Sequence, residues 1–153
     1  MTLATDPVFF DLLVGSYRRL LGQDPPFVGD TQPDAARWLY EDAPACVLAH
    51  GTESDPRFIY ANRAAQNLLE YSWDEIVMLP SRLSAEAPNR AERQRLLDAV
   101  AREGFATSYS GVRISKSGRR FRIEDGVLWE LRDAQGTPQG VAATFARWQA
   151  VDA

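Results

Sequence analysis

A single cysteine and a single histidine set the first limits on this chain of 153 residues. Cys46 alone excludes an internal disulfide and fits a reducing compartment. One imidazole, one thiol and scattered acids supply no cluster with metal-ligand spacing. Long apolar runs are also missing, and none approaches the roughly 20 residues that cross a bilayer. Residues 1–7 carry no basic region ahead of an apolar stretch, which argues against a secretory signal. Basic charge is not in excess either. The 17 Lys and Arg against 21 Asp and Glu leave a net charge of −4, which removes the general case for nucleic acid or an anionic membrane. The expected setting is cytoplasmic, with neither partner. No internal repeat, low-complexity tract or nucleophile-elbow sequence is present.

What is there suits one globular core: 45% of residues are apolar and 25% charged. Residues 7–21 read as an amphipathic helix with the stripe Phe9, Phe10, Leu13, Tyr17, Leu20 and Leu21, ended by Gly22. That stripe is too apolar to lie in water. It packs on its own sheet or on a second copy, so a homodimer through the Phe9–Leu21 helix is expected. A breaker-rich linker follows, and residues 33–41 then read as a short helix capped by Thr31 or Gln32. Residues 45–50 and 58–60 read as a strand hairpin.

The densest signals come next. Phe58 to Tyr60 runs into Asn62, a good helix N-cap, and Ala64, Ala65, Leu68 and Leu69 recur at helical spacing. Ser72 and Glu75 then form a capping box, with Tyr71 and Ile76 placed as a hydrophobic staple. Residues 89–103 read as a helix capped by Asn89, its buried face Leu96, Leu97, Val100 and Ala101. The last third changes to period two. Val112 and Ile114, then Phe121 and Ile123 with Val127, Trp129 and Leu131, then Val141, Ala143 and Phe145 predict three antiparallel strands in succession.

A strand ending in Tyr60-Ala61-Asn62-Arg63-Ala64-Ala65, then a leucine pair and a second capped helix, resembles the entry to a PAS-fold sensor domain. Gly104-Phe105-Ala106, Gly111-Val112, Ser117-Gly118-Arg119, Val127-Leu128-Trp129-Glu130-Leu131 and Thr144-Phe145-Ala146-Arg147-Trp148 together resemble the MEKHLA domain. That PAS-related module ends certain plant homeodomain-zipper transcription factors and also occurs as small free-standing bacterial proteins. The segment from Leu79 to Glu86 is similar to the bacterial members in particular. The resemblance implies an α+β, PAS-like, five-stranded antiparallel sheet with helices packed on one face. Residues 1–43 would be an N-terminal helical extension, and residues 44–150 the PAS-like domain. It also implies a non-enzymatic sensory or regulatory role toward a small molecule or a protein partner. It brings no known ligand, cofactor or catalytic set, and no DNA-binding segment accompanies it here.

A ligand pocket in such a fold would be walled by Ile114, Phe121, Ile123, Trp129 and Phe145 from the sheet, with Leu68, Leu79, Leu97 and Val100 from the helices. Asn62, Arg82 and Asp125 would give it selectivity. Strand parity turns Asp125 inward, where a buried carboxylate needs an answer; alternatively Asp125-Gly126 forms a bulge that swings it to water. Arg82 could bind an anion or pair with Glu86. An enzyme reading makes Asp125 a base and Arg82 an anion holder in a small lyase or isomerase. Cys46 reads as an inert core thiol, in the wrong element for a flavin–cysteine adduct, since residues 72–87 hold no cysteine. His50 reads as a surface or hydrogen-bonding residue at a strand end. Arg113, Lys116, Arg119, Arg120 and Arg122 read as the solvated outer face of a hairpin.

Overall fold

The computed structural model describes residues 3–28 and 34–151. Helix α1 (Pro7–Leu21) starts where Asp6 accepts a hydrogen bond from Val8 N and stops where Gly22 takes a left-handed conformation, φ 72°. Helix α2 (Ala35–Glu41) is capped by Asp34, whose side chain accepts from Arg37 N. Thr31 and Gln32, the caps expected from sequence, lie outside the described residues. Strands β1 (Cys46–His50) and β2 (Phe58–Ala61) form the hairpin. Helices α3 (Arg63–Leu69) and α4 (Trp73–Ile76) follow with the Asn62 cap and the reciprocal Ser72–Glu75 capping box in place.

A short 3-10 helix (Ser81–Ser84) leads to α5 (Ala87–Glu103). This helix begins two residues before Asn89, after an N-cap Glu86 that makes no side-chain capping bond. Its first turn tolerates Pro88, because an N–H at that position has no carbonyl of the helix to bond and Glu86 makes no capping bond. Leu96, Leu97 and Val100 pack inward as expected, but Ala101 is exposed.

Strands β3 (Phe105–Ile114), β4 (Arg120–Arg132), β5 (Pro138–Phe145) and β6 (Arg147–Val151) complete an antiparallel sheet. The order is β2-β1-β5-β4-β3, with β6 also on β4. The expected sheet had five strands. The sixth arises because the chain continues past Ala146 in the register of β5, pairing Glu124 with Arg147 and Arg120 with Val151.

The sheet buries both faces, which a helix layer on one side alone would not do. Tyr60, Trp129, Leu131 and Val47 pack with Phe9, Leu13, Tyr17 and Leu39 on the α1 side. Phe58, Phe121, Ile123, Leu128 and Phe145 pack with Leu69, Ile76 and Val100 on the other. Thus the α1 stripe, from which a homodimer was expected, is covered by the protein's own sheet. The indole of Trp129 donates to Leu13 O at 3.1 Å, and Arg19 and Ser16 bond to the Arg132 backbone. No helix among the described residues is long and apolar enough to cross a membrane.

Strand parity is broken at matching places in β3 and β4. Ser108 and Asp125 both take positive φ, 54° and 52°, and the pairing shifts between Ala106 and Tyr109 and back between Tyr109 and Gly111. A bulge of this kind turns the following residues to the opposite face. Phe121, Ile123 and Leu128 therefore share one face, whereas Trp129 and Leu131 lie on the other. The uninterrupted parity expected from Phe121 to Leu131 is wrong for this reason.

Candidate functional site

A cavity of about 80 Å³ lies between α5, the 3-10 helix and the helix-facing side of the sheet. Leu97, Phe121, Ile123 and Phe145, expected as pocket walls, line it; Leu96, Leu128 and Ala143 do too. Val100, Leu68 and Leu79 belong to the same apolar cluster but do not reach the cavity surface. Trp129 is on the opposite face of the sheet. Ile114 also falls outside the lining, because in β3 it is Tyr109, Gly111 and Arg113 that are buried, opposite Gly126, Ile123 and Phe121.

None of the three polar residues expected to confer selectivity lines the cavity. Asn62 is fully buried, and its amide is saturated: Oδ1 accepts from Val47 N and Ala65 N, and Nδ2 donates to Leu39 O and Ala45 O. Arg82 is half-exposed and pairs with Asp55 at 3.1 Å, not with Glu86, which Arg120 holds at 2.5 and 3.0 Å. Asp125 points to water beside Arg147, as the bulge alternative requires. Asp125 and Arg82 therefore do not converge on one cavity, and the geometry that the enzyme reading needs is not present.

The polar groups that do line the cavity are others. His50, Ser81, Ser84 and Arg93 form one hydrogen-bonded group, and Tyr109 with Arg113 a second. Ser81 Oγ meets His50 Nδ1 at 3.2 Å and accepts from the Arg93 guanidinium. Ser84 Oγ donates to Ser81 O at 2.8 Å. The Arg113 guanidinium lies over the Tyr109 ring, 5.2 Å from its centre, and donates to Val112 O. Burial and the adjacent Arg93 push His50 down to about 4, so its imidazole is neutral at pH 7. Burial likewise pushes the Tyr109 phenol up to about 12.

Sequence reasoning put Arg113 on the solvated face and passed over Arg93. Arg113 is in fact only 6% exposed. The available signal was the period-two series Tyr109, Gly111, Arg113, Ser115, which places an arginine in step with an aromatic and a glycine. Charge outweighed that spacing. His50, expected at the surface or in a hydrogen bond, is buried and bonded.

The hairpin carrying Arg113 and Phe121 is fastened to α3 by Glu70. Its carboxylate accepts from Ser115 Oγ at 2.6 Å, from Ser117 N and Oγ, and from Arg119 at 3.2 Å. The serine hydrogen bonds hold it down to about 2, below the ordinary 4.5. A depressed carboxylate contributes stability above its unfolded pKa and loses that contribution as pH falls toward the folded value. Glu70→Gln is therefore expected to be less stable than the parent near neutrality, with the gap closing between about pH 4.5 and about pH 2. Urea unfolding across that range checks this, and a gap constant with pH would refute it.

The model of the MEKHLA domain matches residues 8–150. The chain belongs to the MEKHLA-domain family. No curated protein sequence matches it significantly. Among solved structures, this MEKHLA domain superposes on a light-oxygen-voltage domain studied with a flavin analogue: 16% identity, TM-score 0.57, 70% of this chain and 77% of that one. The PAS domain of a protein from Colwellia psychrerythraea gives 14% identity and TM-score 0.59 over 73% and 90%. An RNA-binding light-oxygen-voltage receptor gives 19% and 0.63, over 85% of this chain but 36% of the receptor. At such identities the likeness shows the fold alone, and that fold is PAS-like α+β.

The MEKHLA domain does not fit a flavin of the kind light-sensing relatives carry. A cavity of about 80 Å³ is far below the roughly 300–1,000 Å³ of cofactor-sized sites. Cys46 sits on β1 outside the cavity lining, and burial pushes its thiol up to about 12.

Proposed function

We propose that this MEKHLA domain is a sensory or regulatory PAS-like module, without catalysis of its own, that takes a small molecule into the cavity between α5 and the sheet. The carrying observation is that cavity itself: apolar over most of its wall, with two groups of polar side chains on the remainder. Preformed sites for small molecules have this composition, and a core that only needed filling would have no use for it. A net charge of −4 supports a role without nucleic acid. With the α1 stripe already covered, the site is complete within one chain and does not call on a homodimer.

Ala143 offers the test. It faces the cavity between Leu48 and Leu128, its register partners on β1 and β4. Native mass spectrometry of protein isolated from its own host is expected to show a small-molecule adduct that is lost on unfolding. Ala143→Phe, which fills the cavity, is expected to lack it. An adduct of equal abundance in Ala143→Phe would place the ligand elsewhere and sink this reading.

A further inference from the structure

Among the described residues, two cationic side chains face the cavity without a carboxylate in ion-pair contact. Arg113 is 6% exposed, and Arg93 is half-buried. Among the described residues neither guanidinium comes within 4.0 Å of a carboxylate oxygen, although eight other pairs in the protein do. The acids nearest to this part of the cavity are otherwise placed. Asp55 is held by Arg82, and Glu53 accepts from Arg57 N. The Glu92 carboxylate and the Arg113 guanidinium both approach Gly111 without forming an ion pair. The cavity lining holds no Asp or Glu, and His50, being neutral, adds no further positive charge; the acid acting on Arg93 is Asp55, outside the lining.

A buried guanidinium normally comes with a carboxylate or phosphate, because an uncompensated buried charge is strongly destabilising. Two side by side add mutual repulsion. A bound anion placed between them would relieve both costs. Leu96, Leu97, Phe121 and Phe145 on the remaining wall call for an apolar body. The volume of about 80 Å³ limits that body to a compact branched chain or a single ring.

Resting on the small-molecule reading above, we infer that the ligand is a small organic monoanion, a carboxylate on a compact apolar body, held through Arg93 and Arg113 with Ser81, Ser84 and His50 beside it. The guanidinium forks supply charge-assisted hydrogen bonds to the carboxylate oxygens, and the Tyr109 ring steadies Arg113 from one face. Binding neutralises the pair, so a ligand of this class also stabilises the domain.

Isothermal titration and thermal shift with isovalerate and benzoate test the class. Their neutral counterparts 3-methylbutan-1-ol and benzyl alcohol are the controls for charge, and inorganic phosphate is the control for the apolar body. At least one carboxylate is expected to bind and raise Tm, and to bind at least about tenfold tighter than its alcohol. Arg113→Gln and Arg93→Gln are each expected to weaken it by about tenfold or more. In the absence of ligand, Arg113→Gln is expected to keep or raise Tm, since it removes an unanswered charge; a structural arginine would lower it. Alcohols binding as tightly as carboxylates, with the arginine variants unaffected, would overturn the anion class while leaving a small-molecule site. Phosphate binding as tightly as either carboxylate would overturn the apolar body. Failure of every probe, together with no adduct in the native protein, would take down both the class and the reading it rests on.

Discussion

Trp129→Ala is expected to destabilise the protein by about 3–5 kcal/mol. The side chain is 0% exposed at the centre of the α1-facing layer. Tyr17 meets it edge-on at 5.1 Å and Phe27 stacks on it at 6.1 Å. Its indole N–H is the polar tie between β4 and the backbone of α1, at Leu13 O. Truncation leaves a void that these rings cannot close and removes the tie, so α1 loosens from the sheet. For a domain of this size the loss corresponds to a fall in Tm of roughly 10 °C. Denaturant unfolding measures the energy, and hydrogen exchange in α1 locates it. A loss below about 1 kcal/mol would mean that α1 is not held on this face.

Asn62→Ala comes second, at about 3–5 kcal/mol. One amide caps α3, accepts from Val47 N in β1, and donates to two carbonyls, Leu39 O from α2 and Ala45 O at the entry to β1. Removing it strands those groups in a fully buried place, where each unmade hydrogen bond costs the desolvation of its partner. Asn62→Asp is expected to be damaging as well, because a carboxylate would turn acceptors toward two carbonyls. Equilibrium unfolding distinguishes this from a ligand-contacting role. A stable Asn62→Ala protein would refute this role; an unstable one keeps Asn62 as the joint of three elements.

The legible parts of the fold are those written in local chemistry. Gly22 and Gly104 end their helices in left-handed conformations, and Ser72 with Glu75 boxes α4. The helix Pro7–Leu21 has the bounds its stripe predicts, and β3, β4 and β5 pair in succession. The candidate site was less legible. Parity carried Phe121 and Ile123 to the right wall, yet the same parity carried Trp129 to the wrong one, because Asp125 and Ser108 interrupt it together. A positive-φ aspartate before a glycine hints at a bulge in sequence. Only the facing strand shows that a second bulge cancels the register shift and leaves both strands turned over.

The amino-acid sequence by itself determined the element order, the caps and the apolar stripes, because each of these depends on residues within a few positions of one another, and a series of such short motifs along the chain carried the family. Tertiary structure decided which stripe covers which sheet face, and hence that α1 needs no second chain. It also decided that Arg93 and Arg113, 20 residues apart on a helix and a strand, meet at one cavity while Arg82 and Asp125 find partners in the solvent layer. Charge predicts exposure when a residue is considered alone. Whether a charge is buried depends on what the rest of the chain brings up to it, and that is a property of packing.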